Sequence, residues 1–228
     1  DGSLFTWGTG DFGQLGAGNI IPRSSPTQVG TNSWSTVSAG VARILGIRDD
    51  STLWAWGYNF KGALGLGIGS SAYAVSSPTQ IGTGSWTKLS TAGYTTAAIS
   101  DIGILYSWGD NQFGQLGDNS TIDRSSPSQI GSMVWSDISN DAHKTIGISG
   151  GKLYLTGRYP SPNQIYFWKT ITVGPNFALG VRSDNTLWGW GSNANGQLGT
   201  GDRTSTELPV QIGASSWNTV QAGDSFAV

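Results

Sequence analysis

The chain has 228 residues, among them 35 Gly, 11 Trp, one His and no Cys, and its formal net charge is −2. The lack of cysteine excludes disulfides and thiol chemistry, and the single histidine excludes a His-based triad or a multi-His metal site. The near-neutral charge offers no basic surface for nucleic acid, and no apolar run is long enough for membrane insertion.

The first predicted elements form one four-stranded unit. A strand at residues 4–7 leads into a glycine-rich loop at 8–16, and a proline-containing strand at 24–30 suits the edge of a sheet. Strands at 34–40 and 43–48 complete the unit. Four short strands joined by turns have the size of one propeller blade.

The same order of elements recurs along the chain. The repeats lie at approximately residues 1–49, 50–101, 102–150, 151–183 and 184–228. The fourth is shortened, because Thr156-Gly157 replaces its Trp-Gly ending and the whole Gly-Gln-Leu-Gly loop is missing. We expect Tyr154, Tyr159 or Phe167 to fill the space of the absent tryptophan.

These repeats predict an all-β fold, a single β-propeller domain of five four-stranded antiparallel blades. Sparse helix formers, with Glu207 as the only glutamate, support the all-β class. The chain opens with the turn and third strand of a unit and ends inside a second strand, at Phe226 to Val228. We therefore expect both ends to share the terminal blade, which would remove exposed sheet edges. A larger ring, or a fragment of a longer protein, is the alternative, since the chain starts at Asp1 without Met.

Four recurring segments carry a family resemblance: the Leu-Trp-x-Trp-Gly strand, the Gly-Gln-Leu-Gly loop, the Pro-x-Gln-Val/Ile strand and the ending Val37-Ser38-Ala39-Gly40. Over almost its whole length the chain resembles the regulator of chromosome condensation repeat family, which implies a β-propeller of four-stranded blades. The founding member is a chromatin-bound nucleotide-exchange factor for a small GTPase, and relatives include a photoreceptor and bacterial β-lactamase inhibitors. The charge-poor repeats look like bacterial or bacteriophage members rather than the eukaryotic exchange factor.

Local motifs give no catalytic, cofactor or metal residues. Gly8 to Gly13 matches the dinucleotide fingerprint, but the residues that follow are poor helix formers, so the glycines indicate a tight loop. Asp49 and Asp50 are adjacent carboxylates at a recurring hairpin position, which favours a turn over acid–base chemistry.

Loop residues in the third and fourth repeats are candidates for partner binding. The missing fourth loop should leave a notch in one face beside Arg158, Tyr159 and Tyr166, unless the deletion has no role. His143 and Lys144 lie in a loop where a binding contact competes with a solvated turn.

The tryptophans divide into two recurring sets that we expect to pack between blades. These sets are Trp7, Trp56, Trp108 and Trp190, and Trp34, Trp86, Trp135, Trp168 and Trp217. We expect Trp54 and Trp188 to face the side of their strands opposite to Trp56 and Trp190, which makes them further binding candidates.

The function favoured by the sequence is a non-catalytic interaction or structural module that binds a protein or a glycan through loops on one face. A virion or extracellular surface is favoured over the cytoplasm, no cofactor is implied, and the oligomeric state stays open. The alternatives are a guanine-nucleotide exchange factor acting on a small GTPase and a glycan-active enzyme, which would need a carboxylate pair at a channel mouth.

Overall fold

The computed structural model describes residues 1–69, 74–157, 168–182 and 184–224, which form strands joined by tight turns and loops. The strands are β1 Phe5–Gly8, β2 Arg23–Gln28, β3 Trp34–Gly40, β4 Arg43–Arg48, β5 Leu53–Tyr58, β6 Ala74–Gln80, β7 Trp86–Ala92, β8 Thr95–Ser100, β9 Ile104–Gly109, β10 Arg124–Asn140, β11 Lys144–Ser149, β12 Lys152–Gly157, β13 Trp168–Val173, β14 Phe177–Arg182, β15 Leu187–Gly191 and β16 Thr206–Gln211. Helical geometry in these ranges is limited to a 3-10 turn at Phe60–Gly62.

Antiparallel strands pair in chain order within each blade. β3 to β6 and β13 to β16 form two four-stranded sheets, and β1 pairs only with β2. The long strand β10 belongs to two blades, because its first part pairs with β9 and its second part, from Trp135 onward, pairs with β11. The blade that follows therefore contains the end of β10, then β11 and β12, and the fourth strand predicted for it lies outside the described residues.

The first strand of each blade begins with a buried tryptophan that lies over the second strand. Trp34 is 7% exposed and packs over Gly46, where an added Cβ would lie 2.7 Å from the indole ring. Gly147 and Gly180 occupy the equivalent place beneath Trp135 and Trp168. The tryptophan of the first strand can therefore pack here only because the residue beneath it in the second strand is small.

Neighbouring blades are joined by hydroxyl groups on their first strands. Ser38 Oγ accepts a hydrogen bond from the Thr91 N–H at 3.0 Å, and Ser90 Oγ accepts one from the Asn140 N–H at 3.0 Å. The same bond recurs from Val173 N–H to Ser139 Oγ and from Ala222 N–H to Thr172 Oγ1, both at 3.1 Å. These bonds satisfy backbone donors that have no partner within their own sheet.

The all-β prediction is confirmed, and closure of a five-bladed ring remains a prediction. Trp7 is 60% exposed, whereas Trp56 and Trp108, at equivalent positions, are fully buried. Trp217 is also exposed, at 37%. The predicted terminal strand at 226–228 lies outside the described residues. Prolines 26, 78 and 209 all lie on edge strands, as expected.

Candidate functional site

The glycine-rich loops fill the junctions between blades. The Trp56 indole N–H donates to the Gln14 carbonyl at 3.0 Å, and the Trp108 indole N–H donates to the Ala63 carbonyl at 3.2 Å. Leu64 of the second loop is fully buried, in one core cluster with Trp108. The first and second loops therefore pack against the tryptophan of the following blade, and their leucines are buried as expected.

A further backbone hydrogen bond joins each of these two loops to the outer strand of the following blade. Gly18 N–H donates to the Ser76 carbonyl, and Gly67 N–H donates to the Ser125 carbonyl, both at 2.8 Å. The approach needs glycine in the loop: at Gly62, where φ is +73°, a Cβ would lie 2.6 Å from the Ser125 Cα. Gly13 and Gly62 face the backbone of the following blade, so these loop glycines serve packing rather than nucleotide binding.

Asparagine and glutamine side chains hold the loops from within. The buried Asn111 accepts from the Leu116 N–H at 3.0 Å, and Asn193 accepts from the Leu198 N–H at 2.9 Å. Gln115 accepts from the Phe113 N–H at 2.9 Å. These asparagines were not predicted as loop-stabilising residues, although Asn59, Asn111 and Asn193 recur two residues after a Trp-Gly pair.

The junction after the fourth repeat contains a cavity of about 540 Å³. Its walls include Lys144, Ile146 and Leu155 from one blade, and Phe177 and Trp190 from the next. Ala178, Ser205, Thr206 and Glu207 also line it. The notch residues named from the sequence lie outside the described residues: Arg158, Tyr159 and Tyr166, together with Phe167. Their roles stay predictions. The described residues next to them line the cavity.

Tyr154 does not take the place of the missing tryptophan. It occupies the position of Tyr106, and its ring packs edge-on against Trp135 with centroids 5.3 Å apart. Tyr154 precedes Thr156 by two positions on β12, roughly 7 Å along the strand, and its ring is held against Trp135 in its own blade.

Lys144 and His143 are tied to neighbouring protein groups. Lys144 is 8% exposed; its Nζ lies 3.0 Å from Asp141 Oδ2 and donates to the Pro175 carbonyl at 3.3 Å. The half-buried His143 ring packs against Phe113 with centroids 5.2 Å apart. Lys144 therefore links two blades, and its candidacy as a free contact on the loop surface does not fit this geometry.

Arg43 makes the corresponding link between two earlier blades. It is 1% exposed, and its guanidinium donates to the Gly93 carbonyl and, at 2.9 Å, to the Thr95 carbonyl. Burial lowers the pKa of Arg43 to about 9, because desolvation penalises the charged form. Buried cations at this position thus fasten a blade to the hairpin of its neighbour.

An aromatic cluster lies on the loop-bearing face of the first two repeats. Phe12 and Phe60 are 40% and 37% exposed, and Tyr58 and Tyr94 are half-buried between them. Ring centroids are 4.6 Å apart for Phe12 and Tyr58, and 4.9 Å apart for Phe60 and Tyr94. We call these four residues the aromatic patch.

A charged rim borders the aromatic patch. Lys61, next to Phe60, has its Nζ 2.8 Å from Asp123 Oδ2 and 3.8 Å from Asp110 Oδ1. The hydrogen bond to Asp123 is the main reason that the pKa of Lys61 is raised. An apolar centre with a polar rim is the usual anatomy of a protein–protein interface.

Trp54 and Trp188 lie toward the ends of their strands away from the loops and are half-buried. The guanidinium carbon of Arg48 lies 3.4 Å from the Trp54 ring centroid, and Arg182 covers Trp188 at the same distance. The Trp54 indole N–H donates to Thr52 Oγ1 at 2.7 Å. The expectation that they face the opposite side from Trp56 and Trp190 is wrong, because residues two positions apart share one face of a strand. Trp54 packs against the cluster of Trp34 and Trp56, and Trp188 against that of Trp168 and Trp190. Arginine covers both rings through cation–π contacts, and a binding role for them stays a prediction.

The described ranges hold no group of three or more His, Cys, Asp or Glu that could bind a metal ion. They also hold no helix that is long and apolar enough to cross a membrane.

Comparisons with known proteins agree with this architecture. The sequence pattern of the regulator of chromosome condensation (RCC1) repeat matches residues 1–42, 103–152 and 184–228, and a second RCC1 repeat pattern matches 168–197. The ultraviolet-B receptor UVR8 of Arabidopsis thaliana is 30% identical over 92% of this chain and 53% of the receptor. Human protein RCC2 is 28% identical over 92% of this chain and 40% of RCC2.

Solved structures of RCC1 proteins superpose well on this chain. Yeast RCC1 (Prp20) bound to Kap60 has a TM-score of 0.82 at 20% identity, covering 99% of this chain and 61% of the yeast chain. The chain spans about half the length of UVR8 and less of RCC2. Since repeat patterns match more than half of its residues, the chain belongs to the regulator of chromosome condensation repeat family.

Proposed function

We propose that this chain is a non-catalytic protein-interaction module whose loop-bearing face receives a protein partner on the aromatic patch. The observation that carries the proposal is the continuous contact of Phe12, Tyr58, Phe60 and Tyr94, with two of the four rings well exposed. Aromatic residues in such clusters supply much of the binding energy of protein interfaces.

The rigidity of the underlying loops supports this assignment. Phe12 follows the first loop's Gly10, whose carbonyl accepts from the Gly13 N–H at 2.8 Å, and Phe60 lies in the 3-10 turn of the second loop. Side chains held by a preorganised backbone lose less conformational entropy when they bind.

The relatives make a protein the favoured class of partner. Yeast RCC1 has been crystallised with Kap60, and its binding to Gsp1p and histones has been described. The curated relatives named above come from a plant and from human, and they give no support to a bacteriophage origin, a virion role or glycan binding. No geometric feature of the described ranges specifically favours nucleotide exchange or a glycan-active enzyme.

The proposal is tested by photo-crosslinking from the patch. A photoreactive phenylalanine at position 60 is expected to give a defined protein adduct, and the same group at Ile102 is the control. Ile102 is 72% exposed and lies in the turn between β8 and β9, at the other end of the strands. Tyr94→Ala should weaken capture of the same partner about tenfold or more, as expected for a residue at the centre of an interface. Identical adducts from both positions, or unchanged capture by the Tyr94 variant, would contradict the proposal.

A further inference from the structure

The fourth repeat is shorter than the others by the length of its loop. Twenty-six positions separate Gly8 from Trp34, Gly109 from Trp135 and Gly191 from Trp217. Only eleven separate Gly157 from Trp168. The blade that follows, β13 to β16, nevertheless keeps the features that receive such a loop elsewhere in the chain.

Those receiving features line the cavity described above. In the filled junctions a loop carbonyl accepts from the indole N–H of Trp56 or Trp108, and the residue at the same place here is Trp190. Within the ranges that the structure describes, the Trp190 indole N–H donates no hydrogen bond. Thr96 pairs with Trp108 and donates to the Ala63 carbonyl. The equivalent residue, which pairs with Trp190 and lines the cavity, is Ala178.

The outer strand supplies the remaining receptor group. Ser76 and Ser125, two residues before the strand proline, accept a loop N–H through their carbonyls. Glu207 holds the same place before Pro209 and lines the cavity. Trp190 and Glu207 therefore supply two of the three groups that receive the second loop at Trp108, while Ala178 lacks the hydroxyl donor of Thr96.

We propose that this cavity binds a Gly-Gln-Leu-Gly turn presented by a partner protein. The leucine of this turn packs against the apolar wall formed by Ile146, Leu155 and Trp190. The carbonyl of the residue that precedes this leucine accepts from the Trp190 indole N–H. The flanking glycines are needed because a Cβ at Gly65 would lie 2.5 Å from the Trp108 indole nitrogen, and we expect an equally close approach at Trp190. The volume of about 540 Å³ lies within the range of ligand pockets.

The chain's own loops cannot readily serve as this ligand in a second copy. Leu15, Leu116 and Leu198 are 4%, 2% and 1% exposed, so each is already buried in its own junction. A turn from another protein is therefore the occupant that the geometry favours. This site is separate from the aromatic patch, and the inference does not depend on the proposed function.

The test measures binding of a fluorescent cyclic peptide that carries the sequence of residues 110–118, by anisotropy. Saturable binding is expected, with an affinity at least tenfold lower when the leucine of the peptide is replaced by alanine, because the lost burial is worth more than about 1.4 kcal/mol. Trp190→Phe keeps the ring but removes the N–H, so affinity should fall about fivefold. Trp7→Phe is the matched control at an exposed equivalent position and should change nothing.

Three results would overturn the inference. These are no saturable binding up to about 1 mM peptide, equal binding of the leucine and alanine peptides, and equal binding by the wild type and the Trp190→Phe protein. Circular dichroism of both variants checks their fold. Tyr94→Ala should bind the peptide normally, so failure of the patch proposal and failure of the cavity proposal are distinguishable.

Discussion

The junctions at Trp108 and at Trp190 are built on equivalent strands of two blades and differ in what fills them. At Trp108 the second loop places Leu64 and a backbone carbonyl against the indole, which is fully buried. At Trp190 the preceding repeat supplies no such loop, the ring keeps 8% exposure, and a cavity adjoins it. The difference shows that the glycine-rich loop is a packing element, and that its deletion leaves a recess without dismantling the receiving blade.

The largest effect is expected where the junction is filled. Trp108→Ala should lower the free energy of unfolding by about 3–5 kcal/mol, the usual cost of removing a fully buried Trp or Phe side chain. Urea denaturation followed by circular dichroism measures the change. A loss below about 1 kcal/mol would show that the loop and ring are not tightly packed in solution.

Trp190→Ala should cost less, about 1.5–3 kcal/mol, because part of its surroundings is already a cavity. The remaining cost comes from its contact with Trp168, whose ring centroid lies 5.5 Å away. The same denaturation experiment applies. If this variant loses as much as Trp108→Ala, the two junctions are equally filled and the comparison fails.

Asp118→Asn probes the scaffold of an intact loop. Asp118 accepts from Arg124 Nε at 2.8 Å, from Ser120 Oγ at 2.8 Å and from Asn111 at 3.0 Å. Removing the charge should cost about 1–2 kcal/mol near pH 7. Asp202→Asn, in the exposed loop of the last repeat, is the control and should cost less.

The same variant carries a pH dependence. Burial alone would raise the pKa of Asp118, but the hydrogen bonds from Arg124, Ser120 and Asn111 lower it below its ordinary value. A lowered pKa in the folded state means that the stabilisation is present above the unfolded pKa, about 3.9, and is lost as the pH falls through the folded value. The difference between wild type and Asp118→Asn should therefore shrink in denaturation experiments below pH 4, roughly. A difference that persists unchanged into strong acid would contradict the role of the carboxylate.

The smallest effect is expected at Trp7, which matches Trp108 in sequence but is 60% exposed. Trp7→Ala should change the free energy of unfolding by less than about 1 kcal/mol. A loss comparable to that of Trp108→Ala would mean that another part of the molecule covers Trp7 in solution.

The class of fold and the order of the strands can be predicted from the sequence alone. A tryptophan, a glycine loop and a proline strand recur in fixed order, and each has a local requirement: an edge for Pro26, a positive φ for Gly13. It also identified the repeat that lacks its loop, because a deletion is visible in spacing alone.

The role of each recurring side chain depends on contacts that form only in the folded protein. Lys144 reads as a loop charge in sequence, yet it bonds to the Pro175 carbonyl, 31 positions away, and Trp54 is covered by Arg48. Phe12, Tyr58 and Tyr94 meet only when blades pack side by side, so no local pattern marks them as one patch. Contacts between repeats depend on the angle and distance between blades, which the period of the sequence does not encode.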